Sequence, residues 1–505
     1  MDTIRVADPN SNDRAKRLSL PILHTNPPEQ APFEEYEKKE KCGIFGIWGT
    51  KDSANLCYQG LFSQQHRGQE SAGMAVTDGK DLRGHVGMGL VSQVFTPRIL
   101  REDLAGTSAI GHVRYSTTGS SRIANAQPLL REYLLGPVAV AHNGNLINAQ
   151  LLRRMYEEHG HIFQSTTDTE IIVHLLAKPT HMDKPDPLSH VLRHLQGAFS
   201  LLFLFPNRIE ACRDPWGIRP LSIGRTRDGQ WVVASETCAF DAIDAVYERD
   251  VEPGEIVRID DSGISSRRFV PVEPELAHCV FEHVYFANPA SRVFGQNVHL
   301  VREALGRQLA REAPVQADYV MPMPDSGRSA ALGFAKESGI PFEEGIVPNR
   351  FVGRTFILPT QGQRDRAVAM KLNIIPDVVR GKRIVIVEDS VVRGTTTRSK
   401  MRALRRAGTK EIHLRVSCPP IRHPCFYGID FPTKQELIAH ERTAEQVGKF
   451  LEVDSLAYMS MEGLLGCMKE TAEHYCTACW SGHYKLPVDS PQSKLGLERG
   501  QLTMF

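Results

Sequence analysis

The chain has 505 residues with 60 basic against 59 acidic side chains, a formal net charge of +1 with histidines neutral, and 41% hydrophobic against 24% charged residues. Such a balance argues against a general polyanion binder, because non-specific nucleic-acid affinity comes from excess Lys and Arg. The apolar share suits a soluble globular protein of two or three domains at roughly 100 to 200 residues each. Runs such as 201–205 and 384–387 fall far short of the ~20 apolar residues of a membrane helix. Ten cysteines are too dilute for a secreted disulfide scaffold and no signal peptide opens the chain, so thiols, metal ligands or nucleophiles are expected.

Residues 1–41 carry Pro9, Pro21, Pro27, Pro28 and Pro32 among polar residues and end in the charge-dense run 34–41, a segment expected to bury little and stay disordered. From Gly43 to about Val272, β-type runs at 43–47, 71–77, 109–115, 138–142, 200–205 and 231–235 alternate with Gly-rich turns. Helices are predicted over 148–159 and 169–177, the second with Thr167 or Asp168 as its cap. Clustered strands with helices between them predict a layered α+β domain over 42–272, and the Pro- and Glu-bearing stretch 271–275 marks its boundary. Beyond it come helix 301–312, strand 317–321, turn 324–327, helix 328–337, strand 383–387, helix 396–407 and strand 412–416. That alternation predicts a parallel-sheet α/β domain over 273–470, followed by a tail 471–505.

In the run 383–396 an apolar strand ends in Glu388 and Asp389, and Ser390, Arg393, Gly394, Thr395 and Thr396 follow at the start of a helix. Ligands of parallel sheets lie at the carboxyl ends of the strands, and a helix N-terminus with hydroxyls suits a phosphate. The acids then suit ribose hydroxyls or Mg²⁺. In the plainer reading they only cap and solvate a strand-to-helix turn. The residues resemble the phosphoribosyl pyrophosphate signature of type I phosphoribosyltransferases, with Glu388 where that family usually has Asp. The resemblance implies that Glu388 and Asp389 lie over ribose and metal and that Arg393 to Thr396 take the 5′-phosphate. The stretch 349–356, with Arg354, precedes a polar Arg-bearing segment 359–366. It is either a solvated surface loop or, as its resemblance to the catalytic loop of amidophosphoribosyltransferases implies, a lid over a pyrophosphate leaving group, with Phe351 in the place of the usual Tyr.

Cys42 stands directly after the charged leader and before the first strand. Alone, a Cys before Gly reads as a small buried residue. Three stretches add chemistry to it: His66 to Ser71 with Arg67, His112 to Thr117 with Arg114, and His142 to Asn145 with Asn143 and Gly144. An Arg can hold a carboxylate in two places, an Asn amide and a Gly N–H can form an oxyanion hole, and Asp168 can receive an ammonium group. Together these describe hydrolysis of a side-chain amide, glutamine being the natural candidate. They resemble the N-terminal-nucleophile glutaminase domain of class II amidotransferases, an αββα sandwich. In that family the Cys is the mature N-terminus and its α-amino group, with an ordinary pKa of about 7.7 to 8.0, is the general base. Residues 1–41 are then a propeptide removed before Cys42.

Cys476 and Cys479 form a C-x-x-C pair that spacing alone assigns equally to a metal, a redox couple or a plain surface pair. The chain is similar over 42 to about 485 to the iron-sulfur branch of the amidophosphoribosyltransferase family. That resemblance implies a 4Fe-4S cluster on Cys279, Cys425, Cys476 and Cys479, and leaves Cys57, Cys212, Cys238, Cys418 and Cys467 as plain thiols. It further implies Mg²⁺ near Ser326, Glu388 and Asp389, glutamine and phosphoribosyl pyrophosphate as substrates, purine nucleotides as feedback inhibitors, a homotetramer and a cytoplasmic enzyme, with the leader left open as an organelle-targeting segment. Neither nucleic acid nor membrane is expected as a partner. Two other functions fit less of the sequence: a different class II amidotransferase, which needs sugar-isomerase repeats in the second half, and a non-catalytic phosphoribosyl pyrophosphate sensor, which has no use for a glutaminase half.

Overall fold

A computed structural model describes residues 42–115, 120–270, 275–349, 372–429, 431, 433–487 and 497. The leader, residues 271–274 of the predicted boundary, and Arg354 with nearly all of the basic stretch around it lie outside these residues.

The first half is built on thirteen strands: β1 (Gly43–Ile47), β2 (Ser71–Thr77), β3 (Leu82–Met88), β4 (Ser108–Arg114), β5 (Leu129–Tyr133), β6 (Gly136–Leu146), β7 (Gly197–Phe205), β8 (Arg208–Arg213), β9 (Ser222–Thr226), β10 (Trp231–Ala234), β11 (Ala245–Asp250), β12 (Glu255–Asp260) and β13 (Gly263–Arg268). They form one sheet of order β11-β9-β10-β1-β4-β2-β3 and a second of order β13-β12-β8-β7-β6-β5. β7 explains the layering. Its odd-numbered side chains Phe199, Leu201, Phe203 and Phe205 pack with Ile171, Leu175, Leu188 and Val191 of the outer helices. Its even-numbered Leu202 and Leu204 pack with Ile44, Ala75 and Ile110 of the other sheet. Period-2 alternation on a strand buried on both faces thus produces sheet on sheet with helices outside. The helix Ser53–Ser63 covers the opposite face through Cys57 and Leu61, packed with Phe45 and Ile47. The expected αββα sandwich is observed.

The second half carries β14 (His278–Cys279), β15 (Tyr319–Pro322), β16 (Arg383–Glu388), β17 (Glu411–Val416), β18 (Ser455–Tyr458) and β19 (Tyr475–Cys476). β15, β16, β17 and β18 lie in that order in an all-parallel sheet. Ile384 to Val387 are fully buried in its centre, as their unbroken apolar run requires. The helix predicted at 301–312 begins a turn earlier, at Val298, because the Asn297 side chain accepts from Leu300 N at 3.1 Å and caps it. One apolar cluster joins Ile147, Ala198 and Ile218 of the sandwich to the core of the parallel sheet, so the halves share packing rather than a bare linker.

Candidate functional site

Cys42 lies one residue before β1, buried at 7% exposure. β1 pairs with β4, Gly43 opposite Val113, which brings the end of β4 to the thiol. Cys42 Sγ donates to Tyr115 O at 3.5 Å. Burial pushes the thiol up to about 11; the Tyr115 backbone and Arg114 pull it down, and Glu70 and Asp168 push it up. Arg114 pairs with Glu70. Asp168 does not cap the 169–177 helix: its carboxylate accepts from Leu146 N at 2.9 Å and lies 3.7 Å from His142 Nδ1. Thr167 Oγ1 serves the helix start instead, accepting from Thr169 N at 3.4 Å. Although burial opposes it, His142, Leu146 N and Thr167 hold Asp168 below the usual carboxylate range.

β6 supplies the candidate oxyanion donors. Asn143 Nδ2 donates to Ser235 Oγ at 3.2 Å, and the same oxygen accepts from Ile44 N at 3.1 Å, which ties the amide to β1 two residues from the thiol. Gly144 has φ +157°, and a Cβ there would stand 2.0 Å from Ala198 O, so this position admits glycine alone.

Arg67 departs from the expectation of a substrate clamp. Its Nε donates to Cys42 O at 3.0 Å, and its other nitrogens bind Glu236 and, at 3.1 Å twice, Glu282. With its side chain wholly buried, this guanidinium holds the backbone of Cys42 in place and is committed to the chain's own carboxylates.

At the second site, Glu388 and Asp389 emerge buried from the carboxyl end of β16. Ser326 Oγ donates to one Asp389 oxygen and Ser390 Oγ donates to the other at 2.6 Å, so the carboxylate is oriented from both sides. Gly394 takes φ +77° as the residue before the helix Thr395–Arg406, and so turns the short connection from Asp389 into that helix. Arg393 pairs with Glu436, and Thr396 Oγ1 is buried without a hydrogen-bond partner. A buried hydroxyl at a helix start that lacks an acceptor or donor fits a bound phosphate. Oxygen donors from Asp389, Glu388 and Ser326 fit Mg²⁺.

The four cysteines of the expected cluster converge from three parts of the chain. β14 pairs in parallel with β19, placing Cys279 opposite Cys476. Arg422 N and His423 N both donate to Cys479 O at 3.0 Å, which brings the 421–425 segment to the tail. The thiols of Cys279, Cys425 and Cys476 all act on that of Cys479. Burial first, then Cys279 and Cys425, push Cys476 up to about 12. Two buried and two half-buried thiols that converge in this way fit a cationic metal cluster, which stabilises them as thiolates.

A glutamine amidotransferase domain family matches residues 112–242. The chain is 48% identical over 468 residues to an amidophosphoribosyltransferase of Synechococcus elongatus, covering 91% of this chain and 94% of that protein. It is 45% identical over 493 residues to the chloroplastic amidophosphoribosyltransferase of Glycine max, covering 96% and 86%. A solved glutamine phosphoribosylpyrophosphate amidotransferase of B. subtilis, complexed with ADP and GMP, superposes with TM-score 0.84 at 44% identity, covering 90% of this chain and all of that one. The chain belongs to the amidophosphoribosyltransferase family. Its fold is accordingly a class II glutaminase sandwich joined to a type I phosphoribosyltransferase domain. Among the described residues no helix is long and apolar enough to cross a membrane.

Within this amidophosphoribosyltransferase fold, five residues given no role from sequence join the two halves: Glu236, Glu282, Arg219, Asn145 and Arg302. Glu236 accepts from Asn288 N and Ser291 Oγ at 2.8 Å and meets His66 and Arg67. Glu282 bridges Arg67 to Arg219, and Arg219 Nε donates to Tyr427 O at 2.9 Å, two residues from Cys425. Asn145 Nδ2 donates to Phe426 O at 2.9 Å, and Gly428 packs against Gly144. Arg302, which burial pulls down to about 10, lies within electrostatic reach of Asp389 on one side and of Glu236 and Glu282 on the other. A sequence signal exists only for Glu282, which falls three residues after Cys279; its partner Arg67 is 215 positions away.

Proposed function

We propose that this chain carries out the reaction of its family, hydrolysing glutamine at Cys42 and passing the ammonia to C1 of phosphoribosyl pyrophosphate, with 5-phosphoribosylamine, pyrophosphate and glutamate as products. This is the first step of de novo purine synthesis. The reading is carried by one observation: the half that holds buried Cys42 with Arg114, Asp168, Asn143 and Gly144 shares a packed core with the half whose strand-end acids lead into a Gly-Thr-Thr helix start.

In the glutaminase half, Arg114 takes the substrate α-carboxylate and Asp168 the α-ammonium group. The thiolate attacks the amide carbon. The developing oxyanion takes the second N–H of the Asn143 amide, whose first N–H is held by Ser235, and the backbone N–H of Gly144. Removal of residues 1–41 frees the Cys42 α-amino group to accept the thiol proton and to deliver it to the leaving ammonia; a peptide amide cannot do this. Arg67 fixes the Cys42 carbonyl during the cycle. Water then cleaves the glutamyl thioester.

In the second half, the 5′-phosphate sits on Arg393 to Thr396, the ribose hydroxyls on Glu388 and Asp389, and Arg354 meets the pyrophosphate. Asp389, Glu388 and Ser326 would hold Mg²⁺, which supplies charge neutralisation for the leaving pyrophosphate. Cys279, Cys425, Cys476 and Cys479 would hold a 4Fe-4S cluster, which ties the tail to the domain boundary. Purine nucleotides as inhibitors and a homotetramer belong to the same proposal, as does a cytoplasmic or, through the leader, an organellar location; the relatives include chloroplastic enzymes.

The test is a pyrophosphate-release assay on phosphoribosyl pyrophosphate with glutamine or ammonia as donor. Cys42→Ala is expected to abolish the glutamine-dependent reaction and keep the ammonia-dependent one; loss of both overturns the division of labour. A mature N-terminus other than Cys42 removes the proposed base, and an anaerobically purified protein without iron and sulfide removes the cluster.

A further inference from the structure

We propose that His181, His190 and His194 bind a divalent transition-metal ion of the Zn²⁺ class on the outer helical layer of the glutaminase half. One ring nitrogen from each of the three lies within 4.8 Å of the other two. The ring centroids are 4.7 Å apart for His181 and His190, 4.9 Å for His181 and His194, and 4.8 Å for His190 and His194. His190 and His194 are four residues apart from the helix Pro187–Leu192 into the turn that follows it, the spacing that stacks two side chains on one face. His181 belongs to the short helix Pro179–Met182 beside it.

The tautomers are set for ligation. His181 Nδ1 donates to Leu175 O at 2.9 Å, and His194 Nδ1 donates to His190 O at 2.9 Å. A proton held on Nδ1 by a backbone carbonyl leaves the lone pair on Nε2, the arrangement that orients metal-binding histidines. The frame is also fixed: Asp186 caps the helix by accepting from Ser189 N at 3.1 Å, and Arg267 of β13 binds Asp186 and Glu210, each at 2.7 Å. His181 is buried, His190 half-buried and His194 exposed, which gives the ion a way in and an open coordination position for water.

The donor set selects the ion. Three imidazole nitrogens suit Zn²⁺, Cu²⁺ or Ni²⁺, whereas Mg²⁺ and Ca²⁺ need oxygen donors. Lys178, Lys184 and Arg193 act on these rings, so plain electrostatic attraction of a cation is absent and ligand bonding has to supply the affinity. Zn–N bonds of about 2.0 to 2.1 Å call for nitrogens roughly 3.4 Å apart, so from separations within 4.8 Å the rings have at most about 1.4 Å to close, a shift the exposed His194 side chain can supply. The ion would clip the chain at the C-terminal end of the 169–177 helix, whose other end carries Asp168.

The experiment titrates full-length protein with Zn²⁺ alone against a chromophoric chelator, for the unaltered chain, the exposed single variant His194→Ala and the double variant His190→Ala/His194→Ala. The unaltered chain is expected to bind one Zn²⁺ more than the double variant, with affinity at least tenfold weaker in the single variant, and to gain thermal stability on adding Zn²⁺ that the double variant does not. Co²⁺ in place of Zn²⁺ separates this site from the cysteines, since imidazole ligation gives visible d–d bands without thiolate charge transfer. Ammonia- and glutamine-dependent rates without added Zn²⁺ are expected to be equal in all three, which also reports that the variants fold. Equal Zn²⁺ stoichiometry in all three proteins, or Co²⁺ bands from thiolates only, overturns the proposal.

Discussion

The two candidate sites are built in opposite ways. Around Cys42 each functional group is already held by the chain: the thiol by Tyr115 O, Asn143 by Ser235, Asp168 by Leu146 N, and the Cys42 carbonyl by Arg67. Around Asp389 the acids are oriented, but Thr396 Oγ1 is buried without a partner. On the proposed roles, the first site stabilises charge with fixed dipoles placed in advance, and the second is completed by its ligand. A small neutral amide needs the former, because it brings little binding energy of its own; a triply phosphorylated sugar brings enough to organise its own pocket.

The largest expected effect tests whether burial or Arg114 governs the thiol. With its pKa pushed up to about 11, Cys42 in the unprocessed chain is thiolate in about one molecule in a thousand at pH 8. Its alkylation by iodoacetamide, followed by mass spectrometry, should therefore rise about tenfold per pH unit from 8 and level off near 11. A plateau near pH 8 would mean that Arg114 outweighs burial. Next, Gly144→Ala forces a Cβ onto Ala198 O and displaces the oxyanion donor, so glutamine-dependent synthesis should fall about 10²- to 10³-fold while ammonia-dependent synthesis holds. Asp389→Asn is its mirror: both synthetic rates should fall by a similar factor while glutamine hydrolysis persists. Swapped or shared losses would erase the contrast between the halves.

Glu282 tests the joint between them. It lies buried between Arg67 and Arg219, so Glu282→Gln leaves two enclosed guanidinium groups short of one carboxylate. Breaking such a pair typically costs about 3 to 5 kcal/mol, read by urea unfolding. Because Arg67 grips Cys42 and Arg219 grips the Tyr427 carbonyl two residues from Cys425, glutamine-dependent activity should fall more than ammonia-dependent activity. Equal loss of the two would make Glu282 a general stabiliser.

The sequence is legible where chemistry is local and opaque where it is assembled from afar. The run 383–396 announces its strand, its acids and its helix start because all lie within fourteen consecutive positions, and the structure places them so. The unbroken apolar run of β7 likewise predicts a strand, and one buried on both faces as observed. Arg67 is the instructive exception. Next to a Gly turn it reads as a cation for a substrate, yet the carboxylates that claim it are Glu236 and Glu282, 169 and 215 positions away. No periodicity encodes such a pairing. Asp168 deceives for the opposite reason: its place before a helix suggests a cap, and the fold turns its carboxylate to the β6 backbone because Thr167 already serves the helix.

The smallest effect bears on the claim that the second site is finished by its ligand. A buried hydroxyl without a partner costs roughly 1 to 3 kcal/mol in the empty protein, and recovers it when an acceptor arrives. Thr396→Val keeps the shape and removes that hydroxyl. The ligand-free protein should then become slightly more stable, by about 1 kcal/mol in urea unfolding, because the unsatisfied group is gone. The same change should raise KM for phosphoribosyl pyrophosphate roughly 5- to 30-fold with little change in kcat, since a phosphate contact made equally in ground and transition states affects binding alone. The opposite signs are the point. A hydroxyl that already had a partner in the folded chain would lose stability on removal, and one outside the phosphate cradle would leave KM unmoved.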